Sequence, residues 1–257
     1  MRVITCNVNG IRSAARKGYF DWQRRQSADV VCLQEIRALP EQMPADALRP
    51  RRYHAYFNPA RRKGYSGVAL YARRPADRVV TELGWDEVDQ QGRYLQADFG
   101  SLSVVSLYVP SGSSGDEQQT FKYRVMERLM AHLQQLRADG RSYVICADWN
   151  IAHQRIDLEN WRSNQKNSGF LPDERAWLDR LYGEVGWVDA FRVVNPEPRE
   201  YTWWSNRGRA WEKNVGWRLD YQVVTPDLGQ RVREASVYRR KRFSDHAPVI
   251  VDYDIEW

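Results

Sequence analysis

Asn7, Glu35, Tyr108, Asp148, Asn150, Asp220, Asp245 and His246 have the residue types and the spacing to do chemistry together. Each stands at the end of a short apolar run. Asn7 follows VITC, Glu35 follows VVCLQ, Tyr108 follows VVSL, and Asp148 with Asn150 follows YVICA. Asp220 directly precedes YQVV, and Asp245-His246 directly precedes APVIV. Strand tips thus offer carboxylate, amide, phenol and imidazole groups along the sheet edge where a rigid scaffold holds ligand-binding loops. Any one of these residues alone reads as a cap or turn; the set on one chain reads as a site.

The chemistry open to such a set is narrow. No serine or cysteine stands beside a base as a nucleophile would, so acyl transfer is poorly supported. The hard oxygens of Glu35, Asp245 and Asn7 suit Mg²⁺, with Mn²⁺ able to substitute, because such cations take oxygen ligands, keep several waters and meet phosphate oxygens. With neither HExxH nor a cysteine cluster, a zinc site is not expected. A cation on a phosphate, an aspartate that aligns water and a His–Asp pair describe phosphodiester hydrolysis.

Elements that position these groups follow from the apolar runs. Val3–Cys6, Val30–Leu33, Val68–Tyr71, Val104–Val109, Tyr143–Ala147, Tyr221–Val224 and Val249–Tyr253 are nearly continuous and β-branched, as in strands covered on both faces. Phe121, Val125, Leu129, Leu133 and Leu136 recur at helical spacing before Gly140, and Glu174–Val185 carries Trp177, Leu178 and Leu181 on one face. Strands mixed with helices predict α/β layers, and the absence of a low-complexity linker or repeat predicts one domain over residues 1–257.

Bulk properties are consistent with this reading. Net charge is +6, with Arg61-Arg62-Lys63 and Arg239-Arg240-Lys241-Arg242 as clusters, which invites a polyanionic partner. Trp203-Trp204, in a basic stretch, is a candidate stacking surface, and Arg207, Arg209 and Lys213 are candidates for phosphate contacts. Cys6, Cys32 and Cys146 each sit inside an apolar run, so they read as core residues in a reducing compartment, and a cytoplasmic protein is expected. MRVITCNVNG reads as a strand and its turn rather than a secretory signal. No apolar run approaches the roughly 18–20 residues of a membrane span, and no membrane partner is expected.

Taken together, NVNGIR (7–12), LQEIR (33–37), YSGVAL (65–70), LYVPSG (107–112), ADWNIAH (147–153), NVGWRLDY (214–221) and SDHAPV (244–249) resemble the exonuclease III/apurinic–apyrimidinic endonuclease family from Met1 to Tyr253. NQKNSGFLPDER (164–175) and NVGWRLDYQ place the resemblance nearer the abasic-endonuclease branch. The resemblance implies a four-layered α/β/β/α sandwich acting, as a monomer, on double-stranded DNA with abasic sites. It implies a metal site at Glu35 with Asn7 and Asp245. Asp148 would align the attacking water with help from Asn150, and His246, paired with Asp220, would contact the scissile phosphate. Tyr108 would steady that phosphate, Asn164 and Asn167 would meet the DNA backbone, and Trp203, Trp217 and Leu219 would receive a flipped abasic sugar. Three departures from the family pattern stand at Ala147, where glycine is usual and a methyl is expected to crowd the turn, at Ser111 in place of a longer amide, and at Asn9 in place of aspartate. The intact set of polar residues argues against a regulator that has lost its chemistry. The absence of a membrane-binding helix argues against a lipid phosphodiesterase.

Overall fold

The computed structural model describes residues 1–257. Strands β1 (Arg2–Asn7), β2 (Val30–Gln34), β3 (His54–Asn58), β4 (Val68–Ala72), β11 (Val232–Val237) and β12 (Val249–Tyr253) form one sheet, in the order β11-β12-β1-β2-β4-β3. The second sheet holds β5 (Arg78–Val80), β6 (Tyr94–Phe99), β7 (Leu102–Tyr108), β8 (Ser142–Asp148), β9 (Val188–Asp189) and β10 (Asp220–Val224), ordered β5-β6-β7-β8-β10-β9. Each sheet is mixed, with one parallel pair at its centre: β1 with β2, and β7 with β8.

Alternation along the central strands assigns their faces. Val30 and Cys32 of β2, with Val144 and Cys146 of β8, point into a core shared by the two sheets. Val31 and Leu33 face outward onto the helices Ile11–Arg16 and Tyr19–Arg25 through Ile11, Ala14, Phe20 and Trp22. Tyr143, Ile145 and Ala147 face outward the other way, onto helices Asp116–Ala138 and Pro172–Gly183. The result is helix, sheet, sheet, helix, the four-layered sandwich implied by the sequence. Each large apolar side chain fully buried in these layers contributes on the order of 1.5–3 kcal/mol.

Two helices run a little differently from their sequence reading. The long one begins at Asp116, where Asp116 and Glu117 complement the positive end of the helix dipole, and it closes before Gly140 at φ +80°. The other spans Pro172–Gly183 rather than Glu174–Val185, because proline at the first helical position needs no N–H partner. The cysteines are buried and unpaired, and no helix is long and apolar enough to cross a membrane.

Candidate active site

β8 sets the register of the site. Asp148 at its end pairs with Tyr108 of β7 on one side and with Asp220 of β10 on the other. The alternation that sends Val144 and Cys146 into the inter-sheet core also sends Asp148 there, but at the open edge. From the facing sheet, Asn7 at the end of β1 closes the gap: its Nδ2 donates to Asp148 Oδ2 at 2.8 Å and to Glu35 Oε1 at 2.8 Å. One buried amide therefore ties the two sheets together and fixes two carboxylates. Its own oxygen accepts the Asn9 N–H at 2.9 Å, so the structure shows Asn7 as a bridge behind the cleft wall, at the place where the resemblance implies a metal-site residue.

Glu35 and Arg37 both lie in the left-handed backbone region, each at φ +50°, which is costly for side-chain-bearing residues other than asparagine and aspartate. Loops next to β1 and β4 hold them there. Gly10 N donates to Glu35 O, Ile36 N to Gly67 O and Arg37 N to Ser66 O. The Arg37 guanidinium bonds Glu35 Oε2, with Nε at 2.8 Å. Asn9 and Asn150 share this conformation at little cost, at φ +43° and +52°, so four left-handed residues line one cleft and two of them, Glu35 and Arg37, are strained. Strain concentrated in this way marks a site that the rest of the fold holds in place.

His246 Nδ1 meets Asp220 Oδ2 at 2.8 Å, and its Nε2 lies 3.8 Å from Asp148 Oδ2. Burial alone would lower the imidazole pKa, but Asp220 and Asp148 override it and push the value up to about 10. The two carboxylates thus favour the charged imidazole, a form that donates to a phosphate oxygen. Burial raises Asp148 to about 7 against the opposing charge of His246, which leaves it as the group poised to accept a proton. The Tyr108 phenol is driven well above its ordinary pKa, by burial and then by Glu35, so it stays a donor, and Arg93 lies 4.6 Å over its ring. Asp245 is held below its usual value: burial opposes ionisation, but His246 and hydrogen bonds from Asn9 (2.8 Å), Ser244 (3.0 Å) and Trp203 Nε1 (3.2 Å) outweigh it.

These groups line a cleft of about 830 Å³. Glu35, Tyr108, Asp148, Asn150, Asp245 and His246 line it, together with an apolar wall of Trp203, Trp217 and Leu219 that adjoins Asp245 through Trp203. Asn7 and Asp220 stand just behind the lining. Asn167 reaches the cleft, whereas Asn164 lies outside it and accepts the Asn167 side-chain N–H at 2.7 Å, so it braces its neighbour rather than facing a ligand. The tryptophan pair divides. Trp203 meets Trp217 edge to face at 6.3 Å, and their backbones exchange two hydrogen bonds, while Trp204 is wholly buried against Trp211 and offers no stacking surface. Arg207, Arg209 and Lys213 are exposed but do not line the cleft; Arg37 and Lys166 do, and neither was singled out by sequence.

The departures resolve individually. Ala147 lies in β8, not in a turn, and its methyl packs into the helix-facing core, so it crowds nothing. Asn9 donates to Asp245 at 2.8 Å, an interaction a second carboxylate would replace by repulsion. Ser111 Oγ turns to Ser113 Oγ at 2.9 Å.

Arg218 is fully buried behind the wall and does not pair with Asp220. It bonds Asp157 at 2.8 Å and Asp189 at 2.7 Å, and Arg192 adds a bond to Asp157 at 2.7 Å. Burial would raise the Asp157 pKa, but the two guanidinium groups hold it down to about 2. A folded value below the ordinary 3.8 means stability present above about pH 4 and lost as pH falls toward 2, amounting to about 2 kcal/mol. Asp157→Ala, which leaves buried Arg218 with Asp189 alone and Arg192 without its carboxylate, is expected to cost about 3 kcal/mol, the low end for breaking a buried pair, read as a fall in the urea midpoint.

Against this geometry, known proteins give a consistent answer. A profile of the Endonuclease/Exonuclease/phosphatase family matches residues 4–246. The chain belongs to that family. An exodeoxyribonuclease of Bacillus subtilis is 37% identical, with 97% of this chain and 98% of the relative aligned. The DNA repair nuclease APEX1 of Danio rerio is 36% identical over 97% of this chain and 81% of its own. Among solved structures, an AP endonuclease from Archaeoglobus fulgidus superposes with a TM-score of 0.90 at 28% identity, covering 99% of this chain and 100% of that one. The family assignment and the four-layered fold agree with the resemblance read from the motifs.

The donor set fits a hard divalent cation. Glu35, Asp148 and Asp245 present carboxylate oxygens to the cleft, while every thiol is buried within a strand. Asp148, Asp220 and His246 also bring ligand atoms within 4.8 Å of one another. There, however, Asp220 Oδ2 and His246 Nδ1 already satisfy each other, which favours the Glu35 side for the cation.

Proposed function

We propose that this protein is a divalent-metal-dependent apurinic/apyrimidinic endonuclease that hydrolyses the DNA phosphodiester 5′ to an abasic site, with 3′-phosphodiesterase and 3′–5′ exonuclease action as accompanying activities. One observation carries the reading: the hydrolytic groups and an apolar wall share a single cleft. A cation held by Glu35, with Asp245 nearby, would neutralise phosphate charge; Mg²⁺ is the expected ion and Mn²⁺ its substitute. Asp148, fixed by Asn7 and by the Asn150 N–H at 2.9 Å, takes the proton of the attacking water. His246, kept cationic by Asp220, and the protonated Tyr108 donate to phosphate oxygens whose charge grows in the transition state. Asn167 meets the backbone beside them. The relatives' names, a DNA repair nuclease and an AP endonuclease among them, support this substrate class. The reading takes residues 1–257 as one catalytic domain, acting as a monomer in the cytoplasm on double-stranded DNA.

Selection of damage follows from the wall. A site that reads a missing base must recognise an absence, and extrusion costs least where pairing is already lost. Trp203, Trp217 and Leu219, which line the same cleft as Asp148 and His246, would take a bare deoxyribose and exclude one that still bears a base. Trp217→Ala is expected to raise incision beside normal nucleotides relative to abasic ones, measured as a ratio on matched duplexes at one salt concentration, since phosphate contacts make affinity salt-dependent. Both rates falling together, with the ratio unmoved, would assign Trp217 to packing and place selection elsewhere.

A further inference from the structure

Beneath the cleft floor lies an ion pair with no access to solvent on either side chain: Lys122 Nζ to Glu174 Oε1 at 2.5 Å. A buried pair of this kind is weak evidence for stability, because apolar replacements of similar volume often do as well. Its connections suggest another purpose. The Lys122 ammonium also donates to the backbone carbonyl of Asn150 at 2.8 Å. Glu174 Oε2 accepts the N–H groups of Gly169 at 2.6 Å and Leu171 at 3.1 Å. One pair thus grips both loops that floor the cleft, the one after Asp148 and the one that runs from Lys166 to Leu171.

Each loop leads to a different half of the site. Asn150, held at φ +52°, turns its N–H onto Asp148 Oδ1 at 2.9 Å, so the anchor at its carbonyl sets the orientation of the carboxylate. Gly169 lies between that carbonyl and the wall. A Cβ there would come within 3.2 Å of Asn150 O and 3.2 Å of the Trp217 ring, and its φ of +93° is one that side chains rarely adopt. The absence of a side chain is what lets the wall close against the hydrolytic loop.

We propose that Lys122 and Glu174 are positioning residues which, with Gly169 as spacer, set the separation between Asp148 and the Trp217 wall and thereby govern both the rate of cleavage and the choice of abasic over normal nucleotides. The proposal rests on the nuclease reading above. Misplacing a reacting group by about 1 Å can cost on the order of 10²-fold in rate. The effect should therefore fall on the chemical step rather than on binding.

The decisive variant is the double change Lys122→Met with Glu174→Gln. It leaves no uncompensated buried charge, and the glutamine carbonyl still accepts from Gly169 and Leu171, so chiefly the tether to Asn150 is lost. Single-turnover cleavage of an abasic duplex is expected to fall roughly 10- to 10²-fold while duplex affinity stays near wild type and the abasic-to-normal ratio drops. Gly169→Ala, which keeps the ion pair, is expected to lower the same ratio by pushing the wall away. Wild-type rate and ratio in the double variant, or a lower melting temperature with both unchanged, would overturn the proposal. Should the double variant fail to fold, an unchanged ratio in Gly169→Ala overturns it alone. Wild-type protein run alongside separates the two ideas: if it leaves abasic DNA uncut, the nuclease reading has failed, not the spacer.

Discussion

Asp148→Asn is expected to slow single-turnover cleavage by about 10²-fold or more, the usual cost of losing a general base, while DNA affinity stays nearly unchanged. The amide retains the size of the carboxylate, and its one oxygen keeps one of the two hydrogen bonds that Asn7 and the Asn150 N–H make to separate carboxylate oxygens, so the cleft keeps its general shape. What it cannot do is take a proton from water. His246 does not replace it, because Asp220 holds that imidazole as a cation with its pKa pushed up to about 10. The pH profile carries the same information. Burial raises Asp148 to about 7, so its carboxylate form, and with it the rate, grows as pH rises through neutrality. The variant should lose that rise. A variant that loses affinity but keeps its rate would make Asp148 a structural residue.

Glu35→Ala is expected to remove ordinary turnover at low millimolar Mg²⁺, a loss of ~10³-fold if the cation supplies several kcal/mol of charge stabilisation. Glu35 is the carboxylate that Asn7 orients at 2.8 Å and that lines the same cleft as His246. Its loss should also shift the Mg²⁺ concentration needed for half-maximal rate upward, and Mn²⁺ should restore part of the rate. Full activity of the variant at low Mg²⁺ would remove Glu35 from the metal site. The Asn7 amide would then be left bridging to Asp148 alone.

The parts of the molecule that were legible in the sequence are those where burial and polarity change abruptly. Central strands β1, β2, β4, β7, β8 and β10 are buried almost throughout, and β12 on one face, so they appear as apolar runs, and the polar residues that flank most of these runs line the cleft or stand just behind it. The four edge strands, β3, β5, β9 and β11, carry no such run. β11 exposes Arg233, Glu234 and Ser236, and β5 and β9 are three and two residues long, as edges that avoid pairing with other chains often are. Strand β6 was hidden for a different reason. Its buried Gln96 and Asp98 satisfy each other at 2.7 Å, with Ser103 at 2.7 Å on Asp98, and no periodicity announces such a network.

The site divides along similar lines. Residue types at strand ends pointed to Asp148, Asp220, Glu35 and His246, because a carboxylate or imidazole beside an apolar run is conspicuous. Arg37, Lys166, Lys122 and Glu174 gave no such signal. Their placement depends on backbone conformation, as at φ +50° for Arg37, or on contacts between residues far apart, as for Lys122 and Glu174. Trp203 and Trp204 are adjacent and chemically identical, yet one faces the cleft and the other the core. Local sequence offers nothing to tell them apart, since the extended backbone sends neighbouring side chains to opposite sides.

The central claim is that this cleft hydrolyses DNA beside a missing base with a divalent cation. The direct test is a duplex carrying one abasic analogue, labelled at one 5′ end and incubated with the wild-type protein in Mg²⁺ and, separately, in chelator. The account predicts a single cut on the 5′ side of the abasic position, leaving a 3′-hydroxyl, in Mg²⁺ only, with the matched undamaged duplex cut far more slowly. Equal cutting of the two duplexes, or cleavage that persists in chelator, would contradict it.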